Sequence, residues 1–350
     1  MAQKRMNIND IAALAGVSKS TVSNYLNGRY ESMSEETRSR LAEVIRQNDY
    51  TPDLSARRRS TKGKSRTICL IIPHDIGYTF RTQFFPEVMS GLGELAEKAS
   101  YNLMLFTSSR ERLDQQVNYI KGMASSIVDG FLVFDILGNE LLIKEFEKAG
   151  IPYVCFGRSM DNNTFKYVAT DHEGSAYHAA RHLLCLGHRR IALLNESEGG
   201  NVSRWRDLGI RRAFKEEGVT VNESLIHYVD HEAEDYYKLI YMHSCALLES
   251  PEKPTAFIVF GQHLNGFMRA VREKNRRIPQ DLSVVVLEYL SAFDDSGWDF
   301  TRVPSKAGEV GILAFKKLLR MIYSRDSAFE HETVQGEFIS GSTCREIARP

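Results

Sequence analysis

The sequence predicts an α/β protein in two parts: an N-terminal all-α head of the helix-turn-helix type, and a larger, two-lobed body of doubly wound parallel sheets. Charge supports this division. Residues 1–66 contain 13 Lys and Arg against 7 Asp and Glu, although the whole chain balances at 45 and 45. The patterning supports it too, because short helical patterns in the head give way to apolar runs that alternate with amphipathic stretches. A basic head on a mildly acidic body indicates a polyanion-binding segment joined to a domain with another task.

Residues 8–15 predict the first helix. Their apolar side chains recur at i, i+3, i+4 and i+7, the spacing of one helix face. Asn7 is the expected N-cap, and Asp10 stands at the position that completes a capping box. Gly16 is expected to end the helix, because glycine readily adopts the left-handed backbone of a C-terminal turn.

A second helix is predicted only two residues later, with Ser18 as its N-cap. The side chains that can face inward are Val17, Thr21, Val22, Tyr25 and Leu26. The side chains that then face outward are Lys19, Ser20, Ser23 and Asn24. Two short helices joined by a tight glycine turn form a helix-turn-helix, and a small polar outer face allows the close approach that DNA reading needs.

We predict that this outer face contacts DNA. Lys19, Ser20 and Asn24 are expected to reach base edges, where an asparagine suits adenine and an arginine would favour guanine. Phosphates are the main expected partners of Asn7, Ser18, Thr21, Ser23 and Asn27. The alternative without DNA binding is that residues 18–26 form a capped surface helix in an ordinary helical domain.

A third helix and a linker complete the head. Ser34 is the expected N-cap of this helix, and Pro52 lies beyond its end. Residues 52–66 are basic, rich in Ser and Thr and nearly devoid of apolar residues, which is typical of a domain boundary. We therefore predict a DNA-binding domain over 1–51, a hinge or linker over 52–66 and a body over 67–350.

The body is interpreted as two series of about four strands each. The first series is TICLII (67–72), YNLMLF (101–106), GFLVFD (130–135) and PYVCF (152–156). The second series is RIALL (190–194), LIHYV (225–229), TAFIVF (255–260) and LSVVVL (282–287). Ligands of such sheets bind in the crevice beyond the carboxyl ends of the strands. The residues at these ends are Pro73-His74, Thr107-Ser108, Asp135, Gly157-Arg158, Asn195-Glu196, Asp230, Gly261-Gln262 and Glu288.

The stretches INDIAALAGVSKSTVSNYLNG and SEETRSRLAEVIRQNDYTPDLSAR resemble the lactose repressor family of bacterial transcription regulators. VATDHEGSAYHAARHLLCLGHRRIALL and PQDLSVVVLE extend the resemblance over almost the whole chain. It implies a hinge helix after the head and a periplasmic-binding-protein-like body. We expect lobe 1 at about 67–168 plus 299–328, and lobe 2 at about 169–298 plus 329–350.

The resemblance also adds side chains to the expected effector site. Arg206 stands where the family usually has an arginine that holds a ligand hydroxyl or carboxylate, and Phe84 or Phe85 where it has a pocket wall. The predicted effector contacts are Phe84, Phe85, Asp135, Arg158, Arg206, Phe260, Gln262 and Glu288. Each of them, taken alone, is also compatible with an ordinary surface position.

The hinge departs from the family pattern. The family usually reads Ala-Arg-x-Leu there, with the leucine wedged into the minor groove, whereas here Ala56 and Arg57 match and Arg59 stands at the leucine position. All three are predicted to contact DNA. A guanidinium is a poor wedge but suits a narrow, electronegative minor groove, so we predict weaker DNA bending and an A·T-rich operator centre.

The effector pocket departs from the family as well. At the positions where the family usually has acidic side chains, only Glu288 remains as a carboxylate, alongside the cations Arg158 and Arg206. We therefore expect a sugar phosphate or another anionic or partly aromatic metabolite rather than a neutral sugar. The alternative is a body that has lost effector control.

Other functional classes lack their signatures. The sequence has no G-x-S-x-G, P-loop or HExxH motif and no G-x-G-x-x-G after a strand, and the helix with four nearby histidines is interpreted as having them on its surface. Those histidines are His172, His178, His182 and His188. The five cysteines form no C-x-x-C pair, which predicts reduced thiols and a cytoplasmic location. No cofactor, signal peptide or membrane span is expected.

These observations predict a transcription regulator, most simply a repressor. We expect it to bind a pseudo-palindromic operator in double-stranded DNA as a homodimer, or as a tetramer, under the control of a small-molecule effector such as a sugar or sugar phosphate. The alternative from another class is a cytosolic α/β binding protein or enzyme that acts on a small metabolite.

Overall fold

The structure is a computed structural model. It describes residues 6–26, 29–31, 33–50, 64–72, 79–80, 84–108, 110–134, 139–161, 164–230, 233–289, 294, 296–324 and 329–348. The chain divides into two compact units, one formed by Met1–Arg66 with Ser126–Val128 and the other by Thr67–Ser125 with Asp129–Pro350. We refer to the helical part of the first unit as the head and to the second unit as the body.

Three helices form the head: α1 (Ile8–Leu14), α2 (Lys19–Leu26) and α3 (Glu35–Gln47). Each begins where a polar side chain caps it, as the sequence predicts. Their common core consists of Ile11, Ala12, Ala15, Val22 and Leu41. This core is small, so partly buried side chains, among them Val17, Tyr25 and Ile45, cover it from outside.

The body contains eleven strands and eight α-helices among the described residues. The strands are β1 (Thr67–Ile72), β2 (Asn102–Thr107), β3 (Gly130–Phe134), β4 (Tyr153–Phe156), β5 (Tyr167–Thr170), β6 (Ile191–Glu196), β7 (Ile226–Val229), β8 (Ala256–Phe260), β9 (Ser283–Tyr289), β10 (Thr301–Pro304) and β11 (Glu332–Val334). The helices are α4 (Phe84–Lys98), α5 (Arg110–Ser126), α6 (Glu140–Ala149), α7 (His172–Cys185), α8 (Asn201–Glu216), α9 (Tyr236–Leu248), α10 (Leu264–Glu273) and α11 (Ala307–Tyr323). Two 3₁₀ turns lie at Glu223–Leu225 and Gly261–His263.

These strands form two parallel sheets, one in each lobe. The first has six strands in the order β11-β5-β4-β3-β1-β2, and the second has five in the order β10-β9-β8-β6-β7. Paired strands run parallel throughout. Their central strands are buried on both faces, which explains why they read as continuous apolar runs. The predicted α/β architecture with two doubly wound lobes is confirmed.

Three strands are missing from the sequence prediction, and two of them change the expected boundaries of the lobes. β5, β10 and β11 have only three or four residues each, too few to show a pattern of their own. β10 falls in the 299–328 segment expected in lobe 1, yet it pairs with β9 of the second sheet. β11 falls in the 329–350 segment expected in lobe 2, yet it pairs with β5 of the first sheet. The reason lies in the tertiary structure. β10 forms the edge of the second sheet beside β9, and β11 forms the edge of the first sheet beside β5.

The chain passes between the lobes at three points of its described part, and a hydrogen bond joins two of them. The backbone N–H of Asp171 donates to the carbonyl of Val334 at 2.9 Å, which joins the first crossing to the last. Ser305, at the remaining crossing, donates its N–H to the carbonyl of Tyr289 at 3.0 Å. No helix in the described part of the chain combines the length and the apolarity that a membrane span requires.

Candidate DNA interface and effector site

The helix-turn-helix of the head has the local geometry that the sequence predicts. Gly16 has φ +64°, a left-handed conformation that glycine adopts without steric cost. The Asn7 side chain accepts from the backbone N–H of Asp10, and Asp10 Oδ2 accepts from the N–H of Asn7 at 2.8 Å, which forms the capping box. The hydroxyl of Ser18 accepts from the N–H of Thr21 at 3.1 Å and so caps α2. The predicted caps and turn are confirmed.

The outer face of α2 is polar and accessible. Ser18, Lys19 and Ser20 are exposed. Thr21, Ser23 and Asn24 are half-buried around Val22, which is fully buried. The candidate DNA contacts Asn27, Ala56, Arg57 and Arg59 lie outside the described residues, as do Asp135 and the Pro73-His74 pair of the body. The DNA contacts themselves remain a prediction.

In the body, several predicted residues meet at the carboxyl edge of the second sheet. Asn195 and Glu196 end β6, Phe260 ends β8, and Glu288 is the penultimate residue of β9. Arg206 comes from α8, the helix that follows β6. Parallel strands end at the same edge, so this local chain order brings the five side chains to one place.

Arg206 is the centre of this cluster and is only 1% exposed. Its Nε and Nη2 donate to Glu288 Oε1 at 3.3 and 2.7 Å. Its Nη1 donates to Asn195 Oδ1 at 3.0 Å and to Glu196 Oε2 at 3.4 Å. Its guanidinium carbon lies 3.9 Å from the centroid of the Phe260 ring. A buried guanidinium is tolerated here because two carboxylates and an amide satisfy its donors.

Glu288 reaches Arg206 through an irregularity of β9. Val303 pairs with Leu287 and Pro304 with Tyr289, so Glu288 is an extra residue in the register, and its φ is +51°. This is a strand bulge with a strained backbone, a feature that re-aims a side chain. The bulge turns the Glu288 carboxylate to a place where Arg206 and His172 both meet it.

Those two partners control the charge of Glu288. Burial by itself raises the pKa of this carboxyl, but the charge of Arg206 and the charge and hydrogen bond of His172 outweigh it and lower the pKa to about 2. His172 Nδ1 lies 2.6 Å from Glu288 Oε1. Glu288 is therefore a permanent anion at neutral pH.

A second layer of bonds holds Asn195 and Glu196 in place. Asn195 Nδ2 donates to Asp207 Oδ1 at 3.3 Å, and the Tyr228 hydroxyl donates to Asp207 Oδ2 at 2.5 Å. The Ser203 hydroxyl donates to the carbonyl of Glu196 at 2.9 Å. The bond from Asn195 to Asp207 orients the amide oxygen that faces Arg206, and the bond from Ser203 fixes the backbone that carries Glu196.

The charge of Glu288 also acts on a carboxyl group of the first lobe, that of Glu87. Burial raises the pKa of Glu87, a hydrogen bond from Ser305 opposes the rise, and the charge of Glu288 adds to it. Glu87 lies in the first turn of α4, and Ser305 lies at a crossing between the lobes. The electrostatic field of the cluster thus extends across to the first lobe.

The remaining predicted effector residues are distributed differently. Phe85 is 2% exposed and belongs to the core of the first lobe, so it is a core residue rather than a free wall. Phe84 is half-buried, with its ring centroid 6.4 Å from that of Phe134. Gln262 is half-buried in a 3₁₀ turn. Arg158 has other partners than the Arg206 cluster, because its guanidinium lies against Glu173 and the indole of Trp205.

The interpretation of the four histidines as surface residues is wrong for two of them. His172 is bound to Glu288, and its side chain is 13% exposed. His188 is 1% exposed, with Nδ1 2.8 Å from the Thr255 hydroxyl and Nε2 3.0 Å from the Ser283 hydroxyl. Helical spacing could not reveal either role, because the partners are 67 or more positions away in the chain.

A small helix-turn-helix head and a two-lobed body with a polar cluster at a strand-end crevice define a DNA-binding regulator with a ligand-binding-type domain. Family models bear this out: residues 7–53 match bacterial regulatory proteins of the lacI family, and residues 180–344 match a periplasmic binding protein-like domain. The chain belongs to the LacI family of bacterial transcription regulators. The sequence-based expectation of a regulator of this family is confirmed.

Three known proteins illustrate the similarity. The HTH-type transcriptional regulator AglR of Rhizobium meliloti (strain 1021) is 31% identical over 95% of this chain and 93% of its own. The crystal structure of the Lac repressor dimer bound to operator and the anti-inducer ONPF matches with a TM-score of 0.78 at 19% identity, over 98% and 100% of the two chains. The regulator CelR in complex with cellobiose matches with a TM-score of 0.70 at 24% identity, over 97% and 100%.

Proposed function

We propose that this transcription regulator senses a small, uncharged molecule rich in hydroxyl groups, and that it binds this effector at the Arg206 cluster. The observation that carries the proposal is the charge balance of that cluster. Arg206 is already compensated by Glu196 and Glu288. Carboxylate and amide oxygens that surround a paired guanidinium are suited to accept hydrogen bonds from a polyol.

This proposal revises the expectation of an anionic effector. That expectation depended on Arg158 and Arg206 as free donors, whereas each of them has two carboxylates within 4.0 Å, and of their buried nitrogens only Nε of Arg158 has no hydrogen-bond partner among the described residues. An anion at Arg206 would compete with Glu196 and Glu288 for the same donors, and Glu196 would lose its cation in a poorly solvated place. Cellobiose, the ligand named for the structural neighbour CelR, is itself uncharged and rich in hydroxyl groups.

Isothermal titration calorimetry with neutral mono- and disaccharides, sugar phosphates and purines tests the proposal. We expect a neutral sugar to bind, and Glu288→Gln to weaken that binding by roughly 10- to 100-fold, the weight of a hydrogen bond to a charged group. Glu223→Gln is the control, because Glu223 is an exposed partner of Arg211 in the same lobe. Binding of sugar phosphates alone, lost in Arg158→Gln, would contradict the proposal.

We also propose that two copies of the chain read the two halves of a pseudo-palindromic operator with α2. Lys19, Ser20 and Asn24 contact base edges in this proposal, and the flanking hydroxyl and amide side chains contact phosphates. The exposure of Ser18, Lys19 and Ser20 supports it. Binding-site selection with the full chain, followed by the salt dependence of affinity, tests it, because phosphate contacts make affinity fall steeply with salt.

A second candidate is a regulator whose body no longer needs an effector. The bonding of Arg206 favours it, since Glu288, Asn195 and Glu196 already fill the places a ligand would take. The same titrations separate the two candidates. An effector-free regulator would bind its selected operator with the same affinity in the presence and absence of every compound in the panel.

A further inference from the structure

The loop after β4 of the first lobe inserts an arginine into the second lobe. The guanidinium carbon of Arg158 lies 3.6 Å from the centroid of the Trp205 ring. Its Nη2 lies 3.6 Å from Asp171 Oδ1 and 3.5 Å from Glu173 Oε2. Trp205 belongs to α8 and Glu173 to α7, which pack together in the core of the second lobe. A cation from one lobe is therefore held by an aromatic face and two carboxylates beside the other.

The backbone of the same loop is bound as well. The carbonyl of Arg158 accepts from Asn201 Nδ2 at 2.6 Å and from Trp205 Nε1 at 3.3 Å. Three residues on, Asp161 receives both arms of Arg204, with Nη1 2.8 Å from Oδ2 and Nη2 3.0 Å from Oδ1. All three partners lie in the first two turns of α8. The contacts thus join one loop of the first lobe to one helix end of the second.

We propose that these residues form an interlobe latch that holds the two lobes closed without any ligand. The interlobe latch consists of Arg158, Asp161, Asn201, Arg204 and Trp205. Indole is the aromatic face that attracts a guanidinium most strongly, and partial burial strengthens the attraction. The bidentate pair at Asp161 adds geometric specificity, which favours one orientation of the lobes over others.

The interlobe latch has a consequence for regulation. A ligand shifts a two-state equilibrium only through its different affinities for the two states. If the closed state already predominates, an effector that binds it better has little to shift, and an effector that acts must favour the open state and break the interlobe latch. This inference extends beyond the proposed effector site, and its test uses no ligand, so its failure leaves the proposed effector site untouched.

Trp205 itself can report on the latch. The chain has two tryptophans, so Trp298→Phe leaves Trp205 as the sole indole fluorophore. In this background we measure acrylamide quenching of the ligand-free full-length protein. Asp161→Arg sets two cations against each other at a site that does not contact the indole. We expect it to shift the closed-to-open ratio by roughly fivefold towards open and to raise the quenching constant.

Two further variants make the test specific. The exchange Asp161→Arg with Arg204→Asp restores an ion pair of opposite polarity and should return quenching to the parent value. Glu223→Arg is the matched control. Glu223 accepts from both arms of Arg211, which lies on α8 as Arg204 does. This pair is as exposed as the pair of Asp161 with Arg204, but it lies wholly within the second lobe. Glu223→Arg should leave quenching unchanged. Far-UV circular dichroism confirms that each variant is folded.

Three results together would support the interlobe latch: quenching rises in Asp161→Arg, returns to the parent value in the exchange variant and does not change in Glu223→Arg. Equal quenching in Asp161→Arg and Glu223→Arg would overturn it. So would a folded exchange variant that stays as quenched as Asp161→Arg, or a Trp205 that is already fully accessible in the parent.

Discussion

In the head, the candidate functional side chains lie on the accessible side of α2, and Ser18, Lys19 and Ser20 are exposed. In the body, the central side chain of the candidate effector site, Arg206, is 1% exposed and is bound by Glu288, Asn195 and Glu196. The head therefore keeps its apolar core and its candidate base-contacting side chains, Lys19, Ser20 and Asn24, on separate residues. In the body the candidate effector residues are also part of the buried structure, because a buried charge must be paired by the protein itself.

The largest effect that this comparison predicts is on Arg206. Arg206→Ala leaves Glu196 and Glu288 close together without their shared cation, and we expect a loss of about 3–5 kcal/mol in the free energy of unfolding of the body. Urea denaturation at pH 7 measures it. Arg211→Ala, an exposed arginine on the same helix, should cost less than about 1 kcal/mol. Similar losses in the two variants would show that the buried pairing of Arg206 does not stabilise the body more than an exposed ion pair does.

The next largest effect is the acid sensitivity of the body. Burial lowers the pKa of His263 to about 3 and that of His188 to about 4. Both rings stay neutral when folded but take up protons when unfolded, with a pKa of about 6.5. The unfolded state thus binds more protons below pH 6.5, and stability falls as the pH falls. We expect about 2 kcal/mol per histidine to be lost at pH 5.

Unfolding of the full chain between pH 7 and pH 5 measures this slope. His263→Gln should flatten it, whereas His178→Gln, a change at a half-buried position, should keep it. The head has no histidine, so its transition should move little in this range. A slope that is unchanged in His263→Gln would show that His263 is not a source of the acid sensitivity.

A smaller and different effect is expected at Asn24. Asn24→Arg should change the preferred base at one position of each half-site, worth about 1–3 kcal/mol per good contact. The stability of the head should change by less than about 0.5 kcal/mol, since Asn24 is outside its core. Parallel binding-site selection and thermal unfolding measure the two quantities. Identical half-sites for both proteins would refute the assignment of Asn24 to a base edge.

The smallest expected effect concerns two serines at the start of α2, Ser18 and Ser20, of which the first supports the fold and the second is a candidate DNA contact. Ser18→Ala removes the acceptor for the N–H of Thr21 and should cost about 1 kcal/mol of head stability. Ser20→Ala, two residues further on, should leave stability within about 0.5 kcal/mol and weaken DNA binding instead. Denaturation of the head followed by circular dichroism, together with DNA titrations, compares them. Equal losses of stability would mean that Ser20 also supports the fold.

Much of this protein could be predicted from local chemistry. The caps at Asn7 and Ser18 and the turn at Gly16 depend on neighbours within a few residues, so the sequence alone determines the helix-turn-helix. The buried central strands are visible as apolar runs for the same reason. The strand-end rule also finds Asn195, Glu196 and Glu288 without any knowledge of the fold, because it depends only on where each apolar run stops.

Only the tertiary structure decided how those residues are used. The bulge at Glu288 depends on its register with β10, and its carboxylate is paired with His172, a residue 116 positions away. Arg158 likewise lies against Trp205, a residue 47 positions away in the chain. A side chain that the sequence suggested as a ligand donor therefore contacts the other lobe. Charge balance depends on which groups meet in space, and a sequence read locally carries no information about distances between residues that are far apart in the chain.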